Sequence, residues 1–221
     1  MNKKLVISII IAVVVMAIGM VAIIIKNSNE DVNTQNMNME AENNKQITGN
    51  LENANEEKKE NSKTLVVYYS AQNHTKNVAE KVANNLKADI YEIKPLKEYT
   101  SDDLDWTNSN SRVSKEHNDK TLQKVELESS EVPYWEEYDT VLIGFPIWWG
   151  VSAWTVDSFV EENNFNGKTV IPFCTSSSSG LGQSGKLLSQ KANGGNWLEG
   201  HRFSSNASDQ EIKKWTDTLE Y

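Results

Sequence analysis

The sequence predicts a doubly wound α/β domain, a five-stranded parallel sheet with helices on both faces, over residues 63–221. Three observations predict it. Short β-branched or apolar runs alternate with stretches of helical period, the pattern of strands joined by right-handed crossovers. The run Val141-Leu-Ile-Gly-Phe145 is apolar throughout apart from one Gly, as a strand covered on both faces must be. Ser208-Asp-Gln-Glu211 is a capping box that opens a final helix.

Residues 64–69 form a β-branched and aromatic run, read as the first strand. Residues 75–87 place Val78, Ala79, Val82, Ala83 and Leu86 on one helical stripe. Residues 89–93 alternate like a half-buried second strand, which Pro95 ends. Residues 140–145 are the third strand; Pro146 cannot donate to a ladder, so the strand is expected to stop there. A helix over 153–162 turns Val156, Phe159 and Val160 inward, and residues 168–174 are the fourth strand. A helix over 183–191 carries Leu187 and Leu188, residues 197–203 form a weaker fifth strand, and Ile212, Trp215 and Leu219 lie at helical spacing after the capping box. The stretch 95–138 is too polar for a plain crossover helix, and an irregular region of that length reads as a functional loop.

The first 62 residues are of another kind. Residues 5–25 are apolar except for Ser8 and Gly19, and a helix of that length at ~1.5 Å per residue spans roughly 30 Å, about one bilayer core. Lys3 and Lys4 precede it and acidic chain follows, so the positive-inside rule places the N-terminus in the cytoplasm and the domain outside the cell membrane, single-pass. The rival reading is a cleaved signal peptide, whose apolar segment is normally only ~7–15 residues long. With residues 1–26 as the anchor, residues 27–62, rich in Asn, Glu and Lys, read as a disordered tether. The net charge of −9 argues against a nucleic-acid partner. A single cysteine, Cys174, leaves no internal disulfide and no cysteine-based metal site.

In a parallel sheet the loops after strands 1, 3 and 4 leave the same edge, where α/β sheets bind ligands. The first holds Ser70, Gln72, Asn73, His74 and Thr75 and runs into a helix, whose free N–H groups suit a phosphate. The second is Pro146, Ile147, Trp148, Trp149 and Gly150, an aromatic wall. The third includes Thr175, Ser176, Ser177, Ser178 and Gly180, small polar residues that let backbone approach a ligand closely. Each has a plainer reading: a helix cap, two tryptophans packing the sheet edge, a flexible surface loop. Their conjunction in strand order 1, 3, 4 matches a planar heteroaromatic carrying a phosphate.

At this point the chain resembles the flavodoxins, in particular a bacterial branch of that family. The resemblance is carried by residues 68–80, Asp103-Leu-Asp-Trp106 with Ser111-Arg112, Gly144-Phe-Pro-Ile-Trp-Trp-Gly150, and Phe173-Cys-Thr-Ser-Ser-Ser-Ser-Gly180. It implies a flavodoxin-like sheet of order 2-1-3-4-5, FMN as cofactor, and electron transfer through the flavin. Usual members carry Thr-Gly-Asn-Thr in the phosphate loop, where this chain has Gln72-Asn-His-Thr75. Asn73 can take the left-handed backbone in place of Gly, and His74 is a further phosphate donor or a solvent-facing ring.

On this reading Trp148 is the first choice for stacking on the flavin and Trp149 the second. Thr175, Ser176, Ser177, Ser178 and Gly180 contact the ring's polar edge. Asp102, Asp103 and Asp105, if their loop folds over the ring, lower its potential; otherwise they form a solvated loop. Ser111, Arg112, Glu116 and Asp119 are expected to lock the insertion, and Cys174 to be a small buried residue. The expected function is a membrane-tethered FMN electron carrier serving a redox partner protein or a small-molecule acceptor. The alternatives are an FMN-dependent NAD(P)H:quinone-type oxidoreductase and a flavin-free interaction module.

Overall fold

The computed structural model describes residues 63–220. The candidate membrane span and the tether lie outside the described residues; among the described residues no helix is long and apolar enough to cross a membrane. In chain order the elements are β1 (Lys63–Tyr68), α1 (His74–Leu86), β2 (Asp89–Glu92), α2 (Arg112–Asn118), β3 (Tyr138–Trp148), β4 (Val151–Ser152), α3 (Thr155–Glu162), β5 (Thr169–Ser176), α4 (Ser184–Lys191), β6 (Asn196–Trp197), β7 (His201–Ser204) and α5 (Asp209–Thr216).

The sheet runs β2-β1-β3-β5-β6, with β7 also paired to β5 and β4 to β3. All pairs along the main path are parallel. The five parallel positions therefore follow the expected order 2-1-3-4-5, in a sheet of seven strands rather than five. Alternation along each strand divides the core between two faces. Leu65 and Val67 of β1 join Ile143, Phe145, Val156 and Phe159 beneath α3, whereas Val66 and Tyr68 join Val78, Val82, Phe173 and Ile212 beneath α1 and α5. Such two-sided burial is why the central strands read as unbroken apolar runs.

Two details depart from the sequence reading. The fifth strand is split. Val170 pairs with Trp197 and Phe173 with His201, so the outer strand carries one residue more than β5 between those points. The extra residue falls opposite Pro172, which has no N–H to offer a ladder. There Gly200 lies so close that a Cβ would collide with the Pro172 carbonyl oxygen.

The third strand does not stop at Pro146. Pro146 pairs in register with Thr175, and β3 runs on to Trp148. Proline removes only a donor; its carbonyl still accepts from the Ala153 N–H at 3.0 Å. The chain then reverses through Trp149 (φ 47°) and Gly150 (φ 81°) into β4. Positive φ at both central positions matches the twist of a two-residue hairpin.

His201 packs its ring 4.6 Å from Phe203 and nearly parallel to Trp215 at 5.4 Å. Burial lowers its pKa, with Glu211 opposing. The unfolded chain therefore takes up this proton at a higher pH than the folded one. Its share of stability is full above the unfolded histidine value of ~6.5 and is lost as pH falls from there through the lower folded value. Thermal unfolding should show the midpoint falling between pH 7.5 and 5.5, and His201→Gln should flatten that decline.

Candidate functional site

A cavity of about 470 Å³ opens at the carboxyl edge of the sheet, within the usual range for small-molecule sites of roughly 300–1,000 Å³. Ser70, Gln72, His74 and Thr75 line it from the first loop, Pro146, Ile147, Trp148 and Trp149 from the β3–β4 hairpin, and Thr175, Ser176 and Ser177 from the loop after β5. The three loops thus meet in space. Asn73, Gly150, Ser178 and Gly180 stand beside this lining rather than in it. Asn73 makes the turn into α1 at φ 64°, a conformation that Asn tolerates better than most side chains. Gly150 completes the hairpin turn, and Ser178 and Gly180 are exposed beyond the loop.

The first loop presents donors without partners. Asn73 makes no side-chain cap, and no acidic residue stands in the first turn of α1. The Ser70 hydroxyl is buried and has no hydrogen-bond partner among the described residues. A buried polar atom left alone is costly; Thr155 and Ser184 have the same lack of a partner, and of the three only Ser70 lines the cavity. Thr75 is committed differently: its hydroxyl lies 2.8 Å from that of Thr175, tying the first loop to the third. The wall contains no carboxylate, and it can therefore accept a phosphate without like-charge repulsion.

The tryptophans are held in an aromatic cluster. Trp148 is half-buried and meets Tyr69, Tyr99 and Trp154 edge-to-face at 5.8, 5.1 and 4.9 Å. Trp149 stacks on His117 at 4.4 Å with 10° between planes and lies near-parallel to Trp154 at 6.0 Å. Trp106 also lines the cavity, is 72% exposed and makes no aromatic pair among the described residues, so its face is free.

Trp106, Leu104 and Val113 come from the insertion, and Ala71 and Ser205 complete the wall; none is among the site residues expected from the sequence. The only signal for Trp106 was its place in a family-like motif. Asp102, Asp103 and Asp105, which would surround the ring if their loop folded over it and otherwise form a solvated loop, are outside the wall. The Asp103 carboxylate accepts from the Thr100 N–H and hydroxyl at 3.0 and 2.9 Å, and that of Asp105 from the N–H and hydroxyl of Thr107 at 3.0 and 2.6 Å. These bonds hold both acids below the usual carboxylate range.

The insertion is locked by Glu116. Its buried carboxylate accepts from Arg112 Nε at 2.7 Å, the Tyr99 hydroxyl at 2.8 Å and Trp154 Nε1 at 2.8 Å. Arg112 also donates to the Lys97 carbonyl at 2.7 Å and lies 3.7 Å over the Tyr99 ring. Ser111 caps α2, and Asp119 caps the turn after it. Cys174 is buried, and burial pushes its thiol up to about 12.

Fold and cavity together define a doubly wound α/β protein with an aromatic-walled cavity, free of carboxylates, at the carboxyl edge of its sheet. Residues 63–219 match the Flavodoxin family, to which the chain belongs. A candidate flavoprotein from Bacteroides uniformis is 41% identical, with 71% of this chain and 99% of that one covered and a TM-score of 0.66. A second from Bacteroides eggerthii is 38% identical, over 72% and 98%, with a TM-score of 0.65. A Lactobacillus acidophilus flavoprotein solved in complex with FMN is 25% identical, over 70% and 99%, with a TM-score of 0.52. No curated protein matches the chain.

Glu116→Ala would leave the Arg112 guanidinium, the Tyr99 hydroxyl and the Trp154 N–H without their shared acceptor. Breaking a buried ion pair in this way costs about 3–5 kcal/mol. Urea unfolding should show a loss of that order, and a loss under ~1 kcal/mol would mean that the carboxylate does not hold the insertion.

Proposed function

We propose that this chain binds FMN in the cavity and works as an electron carrier held at the outer face of the membrane. Family membership and the FMN complex of the Lactobacillus relative support the cofactor. The observation that carries the reading is the buried, unpartnered Ser70 hydroxyl beside an uncapped helix start, in a wall free of carboxylates. Ser70, Gln72, His74 and the first N–H groups of α1 would hold the phosphate. Trp106, Trp148 and Trp149 would flank the ring and keep water from it. Thr175, Ser176 and Ser177 would face its polar edge.

When bound, FMN supplies one- and two-electron chemistry that side chains lack. The protein's part is to orient the ring and set the polarity around it. The aromatic cluster does this without rearrangement, since Trp148 and Trp149 are already braced. The apolar residues 5–25 and the polar residues 27–62 support the tether: a flexible link of that length has a reach of roughly 30–35 Å and keeps the domain near membrane partners.

The purified full chain should be yellow and release FMN on denaturation. Ser70→Ala should weaken FMN about tenfold or more while leaving riboflavin, which lacks the phosphate, little changed. Trp106→Ala should weaken both flavins by roughly fivefold to a hundredfold, the loss of one base-sized stack. Protein that stays colourless with excess FMN would overturn the reading and leave an interaction module. Rapid quinone turnover with NADPH would instead make it a reductase.

A further inference from the structure

We infer that Arg202 is a positioning residue for the flavin ring, fixing the peptides of the serine loop so that their N–H groups face the cavity. This inference rests on the FMN reading above. Arg202 stands on β7, paired in register with Cys174, outside the cavity wall. Its Nη2 donates to the carbonyls of Ser176 and Ser177 at 2.8 and 3.0 Å. Its Nε donates to the Ser176 hydroxyl at 3.1 Å, and that hydroxyl donates onward to the Ser179 carbonyl, closing the loop.

Peptide geometry turns these contacts into a statement about the cavity. In a planar trans peptide the C=O and the following N–H point in opposite directions. With the carbonyls of Ser176 and Ser177 held toward Arg202, the N–H groups of Ser177 and Ser178 are directed away from it. Neither N–H has an acceptor among the described residues. Ser177 belongs to the wall and Ser178 stands beside it, so the loop offers the cavity the Ser177 N–H as a fixed donor, with that of Ser178 at its rim, and keeps its carbonyls toward Arg202. Fixed donors at that wall select an acceptor edge, such as the carbonyl and ring-nitrogen side of an isoalloxazine.

Lysine cannot reproduce this role. One guanidinium nitrogen and its planar neighbour engage two carbonyls and a hydroxyl at once, whereas an ammonium is a compact, strongly hydrated point charge. Without Arg202 the two peptides are free to rotate and present carbonyl oxygens to the ring's acceptors. That arrangement weakens flavin binding and opposes added electron density on the ring.

The test uses full-length protein with Arg202→Met, Arg202→Lys and Ser70→Ala, titrated with FMN and with riboflavin, and the midpoint potential of each FMN-loaded form. Arg202→Met should weaken both flavins by the same factor, about tenfold, and lower the potential, while Ser70→Ala affects FMN alone. Arg202→Lys should resemble Arg202→Met. An unchanged potential in Arg202→Met, or full rescue by lysine, would overturn the inference. Should Arg202→Met fail to fold, Ser177→Pro removes one of the two donors directly and must lower the potential for the inference to stand. Failure of the wild-type chain to take up FMN overturns the FMN reading itself, a result distinct from all of these.

Discussion

The carboxylate of Glu116 is the tie on which the cavity depends. It is buried in an apolar setting, where a lone charge would be far too costly, and three donors meet it there: Arg112, Tyr99 and Trp154. Those donors come from α2, from the stretch after β2 and from the start of α3. One acceptor thus draws the insertion onto the end of the sheet. Trp154 in turn braces Trp148 and Trp149 from behind. Through Trp154 the same carboxylate is joined to the aromatic wall, where Trp149 makes the left-handed turn of the hairpin. Strained backbone persists only where its surroundings over-determine it, and this network supplies that surplus of contacts at the hairpin.

Much of the sheet was legible because its signals are local. Each strand and helix of the parallel core is written in a run of fewer than fifteen residues, and parallel topology places the loops on one edge. The errors lie where a local rule meets its tertiary partner. By its missing N–H alone Pro146 reads as a stop, yet a strand that needs only the carbonyl there continues past it. The fifth strand reads as one piece because nothing within residues 197–203 announces a break; the break falls opposite Pro172 on the neighbouring strand.

The cavity shows the same division. Twelve of its lining residues lie in the three loops that strand order brings together. The rest of the wall comes from contacts that sequence separation hides. Leu104, Trp106 and Val113 reach the cavity from the insertion, whose fold Glu116 ties to the end of the sheet, and Ser205 follows β7, which pairs with β5. Asp103 and Asp105 show the converse. Composition made them candidates for the ring's electrostatic surroundings, but each is satisfied by a threonine a few residues away, Thr100 and Thr107. Such turns recur for Asp at any exposed bend, so acidity alone carried little information about their role.

The charge pattern now has a physical logic. A chain of net charge −9 surrounds a cavity whose wall bears no carboxylate. On the proposed reading both ends of the ligand need this: the phosphate at the start of α1, and the ring where electron density grows on reduction. Donors rather than cations line both ends, namely backbone N–H groups, serine hydroxyls and one imidazole. Arg202 stays outside, holding the carbonyls. Fixed dipoles of this kind stabilise charge without reorganising when it arrives. A guanidinium in the wall itself would instead attract any anion of suitable size. On the proposed reading, keeping Arg202 one layer back makes the site selective for a shape, the acceptor edge of a flat ring, rather than for a charge.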